Sequence, residues 1–317
     1  MTFRRFAAPA ILGVLVSLSP ALAAEPITQS ADGSIRLSGG IGLLDLKATE
    51  LVYDGGSKLS QLEWESRAVT LYTASVIADL SADWIVQATL RYGDGGDSGM
   101  TDYDWIEPFN DGTSKDGWSD RSIHPDTRLK YYVDGDISVV RSVYRTEAAT
   151  LGIAGGFRYT DVRWDAYGGS YLYSVNAPRD DIGTFADGER GISYRQRIPV
   201  FYTGITGAAT IDRFGFSGGA KIGVTSGIND IDHHWMRDLR FDDRMKPAPV
   251  ALLSAEVSYA LTDKAGLYFG ASFENVFRKR GDTQILERST GNSDVSKDSA
   301  GAAFRSVAVS FGIKGAF

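Results

Sequence analysis

The run Ser306-Val307-Ala308-Val309-Ser310-Phe311-Gly312-Ile313-Lys314 alternates a bulky apolar residue with a small or polar one at every step. A period of two is the period of a β-strand, whose successive side chains point to opposite faces. Val307, Val309, Phe311, Ile313 and the final Phe317 share one face; Ser306, Ala308, Ser310, Gly312 and Lys314 share the other. In a soluble β-sandwich the apolar face would meet a second sheet. In an outer-membrane barrel it meets lipid, and the small, polar face fills the interior.

The same alternation recurs upstream. Trp84, Val86, Ala88, Leu90 and Tyr92 oppose Gln87, Thr89 and Arg91, and Leu267, Phe269, Ala271 and Phe273 oppose Tyr268, Gly270, Ser272 and Glu274. About ten such stretches occur, with no convincing amphipathic helix between them. They are placed near 33–50, 59–79, 82–94, 125–145, 148–165, 190–211, 213–228, 246–261, 264–281 and 302–317. Short turns at Ser81-Ala82-Asp83, Asp212-Arg213 and Thr262-Asp263-Lys264 alternate with long polar connections around 94–125, 166–190, 226–246 and 281–302. Short turns at one end and long loops at the other are the pattern of an outer-membrane barrel. The expectation is an all-β fold: a ten-stranded antiparallel transmembrane β-barrel with long extracellular loops.

Composition agrees. After the N-terminus no apolar run approaches the length of a membrane helix. Arg4 and Arg5, the apolar stretch from Ala7 to Leu18 and Ala21-Leu22-Ala23 read as a secretory signal peptide over residues 1–23, leaving one domain over 24–317. The chain has no cysteine, so neither a disulfide nor a thiolate metal site holds it together. The formal charge of −7 becomes −9 once Arg4 and Arg5 leave with the signal peptide. That argues against nucleic acid and leaves cationic partners open.

Two of the three histidines lie in Asp230-Ile231-Asp232-His233-His234-Trp235. On an extended segment Asp232 and His234 share a face, so the carboxylate can orient the imidazole as a general base. His233 points the other way and reads as a loop residue. A zinc site built from these residues matches no common ligand spacing, so no metal is expected. Far upstream, Thr101-Asp102-Tyr103-Asp104-Trp105 again puts two carboxylates on one side of an extended chain. Both stretches fall in long connections at the same mouth of the barrel and can converge.

These segments resemble the omptins, outer-membrane aspartyl proteases of Gram-negative bacteria. The resemblance runs along essentially the whole mature chain. It is densest in Met100 to Trp105, Trp118-Ser119-Asp120, His124-Pro125-Asp126-Thr127, Gly168 to Ser174, Arg179-Asp180-Asp181-Ile182-Gly183 and Gly188-Glu189-Arg190. It implies a barrel that projects beyond the membrane and carries a proteolytic groove at its outer rim. Asp102, Asp104, Asp232 and His234 match the family's catalytic positions. A water between His234 and the aspartate pair would lose its proton to His234 as it attacks the peptide carbonyl.

The resemblance further implies cleavage beside Arg or Lys. Glu50 and Asp230 match the carboxylates of an acidic pocket, and Asp120 is a further substrate-binding position. It implies no cofactor, but lipopolysaccharide as an activator held by basic side chains on the outer wall. Arg197 matches one of these, whereas the companion arginine aligns with Asp161, flanked by Arg158 and Arg163. The partners expected are cationic peptides or proteins and outer-membrane lipid, and the barrel is expected to be a monomer in the outer membrane with its site facing outward. His124 reads as structural. An alternative is an inactive barrel acting as an adhesin or structural outer-membrane protein, a role that Arg280-Gly281-Asp282 at a loop entrance could serve. A passive porin is disfavoured, because an aqueous channel needs a larger barrel.

Overall fold

A computed structural model describes residues 34–112 and 114–316. The stretch expected to be a signal peptide, residues 1–23, and Phe317 lie outside the described residues. The described residues run through thirteen strands: β1 (Ile35–Asp54), β2 (Ser57–Asp79), β3 (Trp84–Asp94), β4 (Asp97–Asp104), β5 (Asp120–Arg145), β6 (Ala149–Tyr173), β7 (Asp181–Ile211), β8 (Phe214–Thr225), β9 (Ile228–His234), β10 (Leu239–Met245), β11 (Pro249–Ala260), β12 (Ala265–Glu287) and β13 (Ser293–Ala316).

Three pairs of these are halves of one stave. β3 and β4 both lie between β2 and β5, β8 and β9 both pair β7, and β10 and β11 both pair β12. Thirteen strands therefore make ten antiparallel staves. The ring closes where β1 pairs β13, which leaves no free edge.

The breaks sit where the sequence forbids a regular ladder. Gly95 and Gly96 both have positive φ, and a Cβ on Gly96 would meet the Arg67 carbonyl oxygen at 2.6 Å. Gly227, with φ +121, separates β8 from β9, and Pro247 lies between β10 and β11. At each break the stave re-aims as it leaves the lipid-facing zone.

The apolar face of the last strand does point outward: Val307, Val309, Phe311 and Ile313 are exposed, while Ser306 and Ala308 are buried. Ile41, Leu90, Ile153, Phe201, Ile222 and Phe269 continue this belt around the wall. The four connections at one end are turns of two to four residues. At the other end the expected long loops are largely strand. β7 alone has 31 residues, about three times the nine to eleven that cross a bilayer. The extensions carry β4, the start of β5, the end of β6 and all of β9 and β10 above the apolar belt. Above the lipid polar residues stand on both faces of the wall, with only scattered exposed apolar side chains such as Ile182 and Val295, so the apolar alternation that marks a strand in the sequence is lost there.

Inside, the barrel is layered. A cavity of about 940 Å³ lined by Ser38, Ser75, Thr89, Gly152 and Ser272 occupies the end nearer the short turns. Above it Arg158 bridges Asp134 at 2.7 Å and Glu274 at 2.9 Å, and Arg91 reaches Asp134 at 2.6 Å. An aromatic layer follows. Trp64 stacks on Tyr194 with centroids 5.5 Å apart, Trp164 packs against both, and the Trp164 indole donates to Ser66 Oγ at 2.8 Å. All three rings are fully buried. The barrel is plugged, which removes the porin reading, and the plug is the floor of the site.

Candidate active site

Asp102 and Asp104 stand on β4, held between β2 and β5. The register places Asp102 between Leu62 and Ser122, and Asp104 between Ser60 and Asp120. Ser60 donates to Asp102 Oδ1 at 2.9 Å. Both aspartates project inward above buried Met100. Removal from water pushes each carboxyl up, and the neighbouring Asp104 adds to the shift at Asp102. Asp104 reaches about 6, with Asp120 also raising it and His234 and Arg237 opposing. Burial thus disfavours the ionised form of both acids.

Asp232 and His234 stand on β9, between β7 and β10. In the closed ring three staves separate β4 from β9 one way and five the other, so the two pairs face each other across the mouth. His234 Nε2 lies 2.7 Å from Asp232 Oδ2. The His234 ring is wedged edge-on against Phe241, 5.2 Å between centroids, which fixes its plane. His233 turns outward, as its position on a strand requires, and stacks on Trp235 at 5.0 Å. Arg190 covers the other residue of that stack, 3.6 Å from the Trp235 ring, and the Trp235 indole donates to Ser193 Oγ at 2.7 Å.

The floor carries more acid. Glu50, on β1, is 3% exposed and Asp230, on β9, is 2% exposed. Tyr194 donates to Asp230 Oδ2 at 2.6 Å, and Trp64 Nε1 lies 3.4 Å from Glu50 Oε2. Burial raises both carboxyls well above the usual range; at Glu50 the charges of Asp232, Asp243, Asp230 and Asp102 raise it further. The carboxylates of three staves thus converge on one space above the aromatic layer.

Asp120 sits beside the aspartate pair, but its oxygens are already engaged. Its carboxylate accepts from Ser119 Oγ at 2.6 Å and from the Ser174 backbone N–H at 2.8 Å, tying the β4–β5 connection to the β6–β7 connection. Its neighbour across the ladder is Asp104. His124 is enclosed between Ser122 Oγ and the Gly168 carbonyl oxygen and stacks on Phe185 at 5.1 Å. Burial lowers its pKa, and it serves packing.

Arg197 is on the outer face of β7, opposite Asp161 in the ladder. Asp161 takes a two-pronged bond from Arg195, with Nε at 2.9 Å and Nη2 at 2.5 Å. Arg158 points into the barrel and Arg163 outward, since the β6 register runs unbroken between Asp161 and Arg163. Arg280-Gly281-Asp282 is not a loop entrance but part of β12: Arg280 bonds the Gly55 and Asp298 carbonyl oxygens, and Asp282 accepts from the Asp298 N–H.

Sequence reasoning missed Ser60, Tyr194 and Asp243. The first two are ordinary strand residues until the register sets them beside Asp102 and Asp230. Asp243 had a signal: in Phe241-Asp242-Asp243-Arg244-Met245 it shares the inward parity of Phe241 and Met245.

A plugged ten-stave barrel with an apolar belt and an acid–histidine groove at its polar mouth defines an outer-membrane β-barrel of the protease class. The chain belongs to the omptin family, whose model matches residues 31–317. It is 31% identical over 300 residues to Protease 7 of Escherichia coli strain K12, covering 92% of each chain. It is 28% identical over 311 residues to the plasminogen activator of Yersinia pestis, covering 96% of each. The crystal structure of the outer membrane protease OmpT from Escherichia coli superposes with a TM-score of 0.83 at 28% identity, over 89% of this chain and 96% of that one.

Proposed function

We propose that the protein is an outer-membrane endopeptidase that cleaves beside Arg or Lys by attack of an activated water, with its groove facing the exterior. The observation that carries this is the pairing across the mouth: Asp232 with His234 on one wall, Asp102 with Asp104 on the other.

The roles follow from the chemistry. With Nε2–H given to Asp232, His234 keeps the Nδ1 lone pair for a water proton. Asp232 stabilises the imidazolium that forms. The aspartate pair, sharing one proton, can accept a hydrogen bond from the water and donate one to the developing oxyanion. Below the groove, Glu50 and Asp230 offer charge-assisted bonds to a guanidinium or ammonium, which a neutral side chain cannot match. The acidic net charge supports attraction of cationic peptides.

The test is cleavage of a fluorogenic peptide containing paired Arg and Lys by the folded barrel, with its cut sites mapped by mass spectrometry. Cleavage confined to bonds beside the basic residues supports the reading. No cleavage by wild-type protein under any lipid condition favours the inactive, adhesin-like alternative.

A further inference from the structure

Asp243 is a buried carboxylate for which the reaction above has no use. It lies on β10 directly opposite Asp230 of β9, so both side chains leave the sheet on the same, inward face. On its other flank its ladder partner is Thr283 of β12. Asp243 is 7% exposed, and its Oδ1 has no hydrogen-bond partner; the same holds for Oδ1 of Asp230. A buried carboxylate oxygen facing a second one, neither with a donor, is costly to a folded protein. Two such oxygens in one pocket are acceptors awaiting donors. Two acceptors buried beside Glu50 in an acidic pocket match the chemistry of an organic cation that carries several N–H donors.

We infer that Asp243 is a third carboxylate of the specificity pocket, joining Glu50 and Asp230 around the basic side chain of the substrate. The inference rests on the proposed cleavage beside basic residues. The three acids come from three staves: β1 supplies Glu50, β9 Asp230 and β10 Asp243. A guanidinium presents five N–H donors in one plane, enough to serve oxygens on three walls at once. Burial and the charges of Asp232 and Asp242, opposed by the Thr283 hydroxyl, push Asp243 up to about 7, so it is part-protonated near neutrality and an entering cation displaces the proton. Asp243 is thus a specificity residue, not a catalytic one; the reacting atoms belong to β4 and the upper end of β9.

The experiment compares two peptides that differ only in arginine or citrulline at the position before the cleaved bond. Citrulline keeps arginine's shape and loses its charge. The Asp243→Asn variant is expected to lower kcat/KM for the arginine peptide about ten- to a hundred-fold, the worth of one buried charged hydrogen bond. The citrulline peptide, which lacks the charge, should lose much less. An equal fall for both peptides would assign Asp243 a merely structural role and overturn the inference, as would no fall for either. If wild-type protein cuts the two peptides equally, the pocket reading itself fails, a result distinct from either. Asp243→Ser carries the same comparison should the asparagine variant not fold.

Discussion

His234 Nε2 lies 2.7 Å from Asp232 Oδ2, two residues back along the same strand. The period of β9 puts both on its inner face, and the edge of Phe241 on β10 blocks rotation of the ring. The geometry separates two roles, a base and its orienter. His234→Ala is expected to cut kcat by about 10²- to 10⁴-fold while the barrel still folds, because the change removes the general base and no ladder bond. Asp232→Asn should lose less, since Oδ1 remains to hold a ring whose plane Phe241 already limits. Single-turnover kinetics on folded protein check both; near wild-type cleavage by His234→Ala would sink the assignment.

Glu50→Gln and Asp230→Asn should weaken cleavage beside Arg or Lys more than Asp120→Asn does. The first two carboxylates face the pocket, whereas both Asp120 oxygens already accept bonds from the loops around them. Each pocket variant is expected to lose about ten- to a hundred-fold in kcat/KM. The loss should be largest where the substrate side chain is charged. Asp120→Asn, by contrast, should loosen the tie between the β4–β5 and β6–β7 connections, seen as faster hydrogen exchange at Ser174. Equal losses from all three variants on charged and neutral peptides alike would contradict this division.

How much of this was legible in the sequence depended on where lipid is. In the apolar belt, alternation as in Val307 to Ile313 fixed strand, face and order. Above the belt, β4 and β9 carry polar residues on both faces, so the same backbone looks like loop in the sequence, and Asp102 and His234 fall in apparent connections although the structure places them in walls. Parity still worked locally: Asp102 with Asp104, and Asp232 with His234 against His233, are correctly sorted by a period of two. What parity cannot supply is register. That Asp243 sits opposite Asp230, or Ser60 beside Asp104, depends on how strands slide past one another, and no local pattern encodes it.

The pocket acids should make the outer barrel pH-sensitive. Asp243 holds its proton to about 7 in the folded protein, against 3.8 for the free side chain. Its favourable balance is therefore fully present below about pH 4 and is lost as pH rises through 7. At pH 8 the ionised group opposes folding by an amount on the order of a few kcal/mol. Asp243→Asn should accordingly stabilise the β9–β10 hairpin at pH 8 and change it little at pH 4. Hydrogen exchange of β9 and β10 amides at the two pH values measures this. Greater protection in wild type than in the variant at pH 8 would contradict it.

The outer wall suggests how lipopolysaccharide would act. Arg195 is committed to Asp161 by two bonds, while Arg197, opposite Asp161 in the ladder, has a buried Nε without a partner. A lipid phosphate arriving at this wall meets Arg197, which makes no ion pair among the described residues, and Arg195, already neutralised by a carboxylate. Activation by lipopolysaccharide should therefore be present but weak, and Arg197→Ala should abolish it. Asp161→Asn should strengthen it, because it frees Arg195 to bind phosphate and removes a repelling charge; about tenfold less lipid should then suffice for half-activation, the worth of one charge-assisted bond. Titrating refolded wild-type, Arg197→Ala and Asp161→Asn proteins with lipopolysaccharide checks the order. Full wild-type activity in detergent, indifferent to added lipid, would show that this wall plays no part in activation.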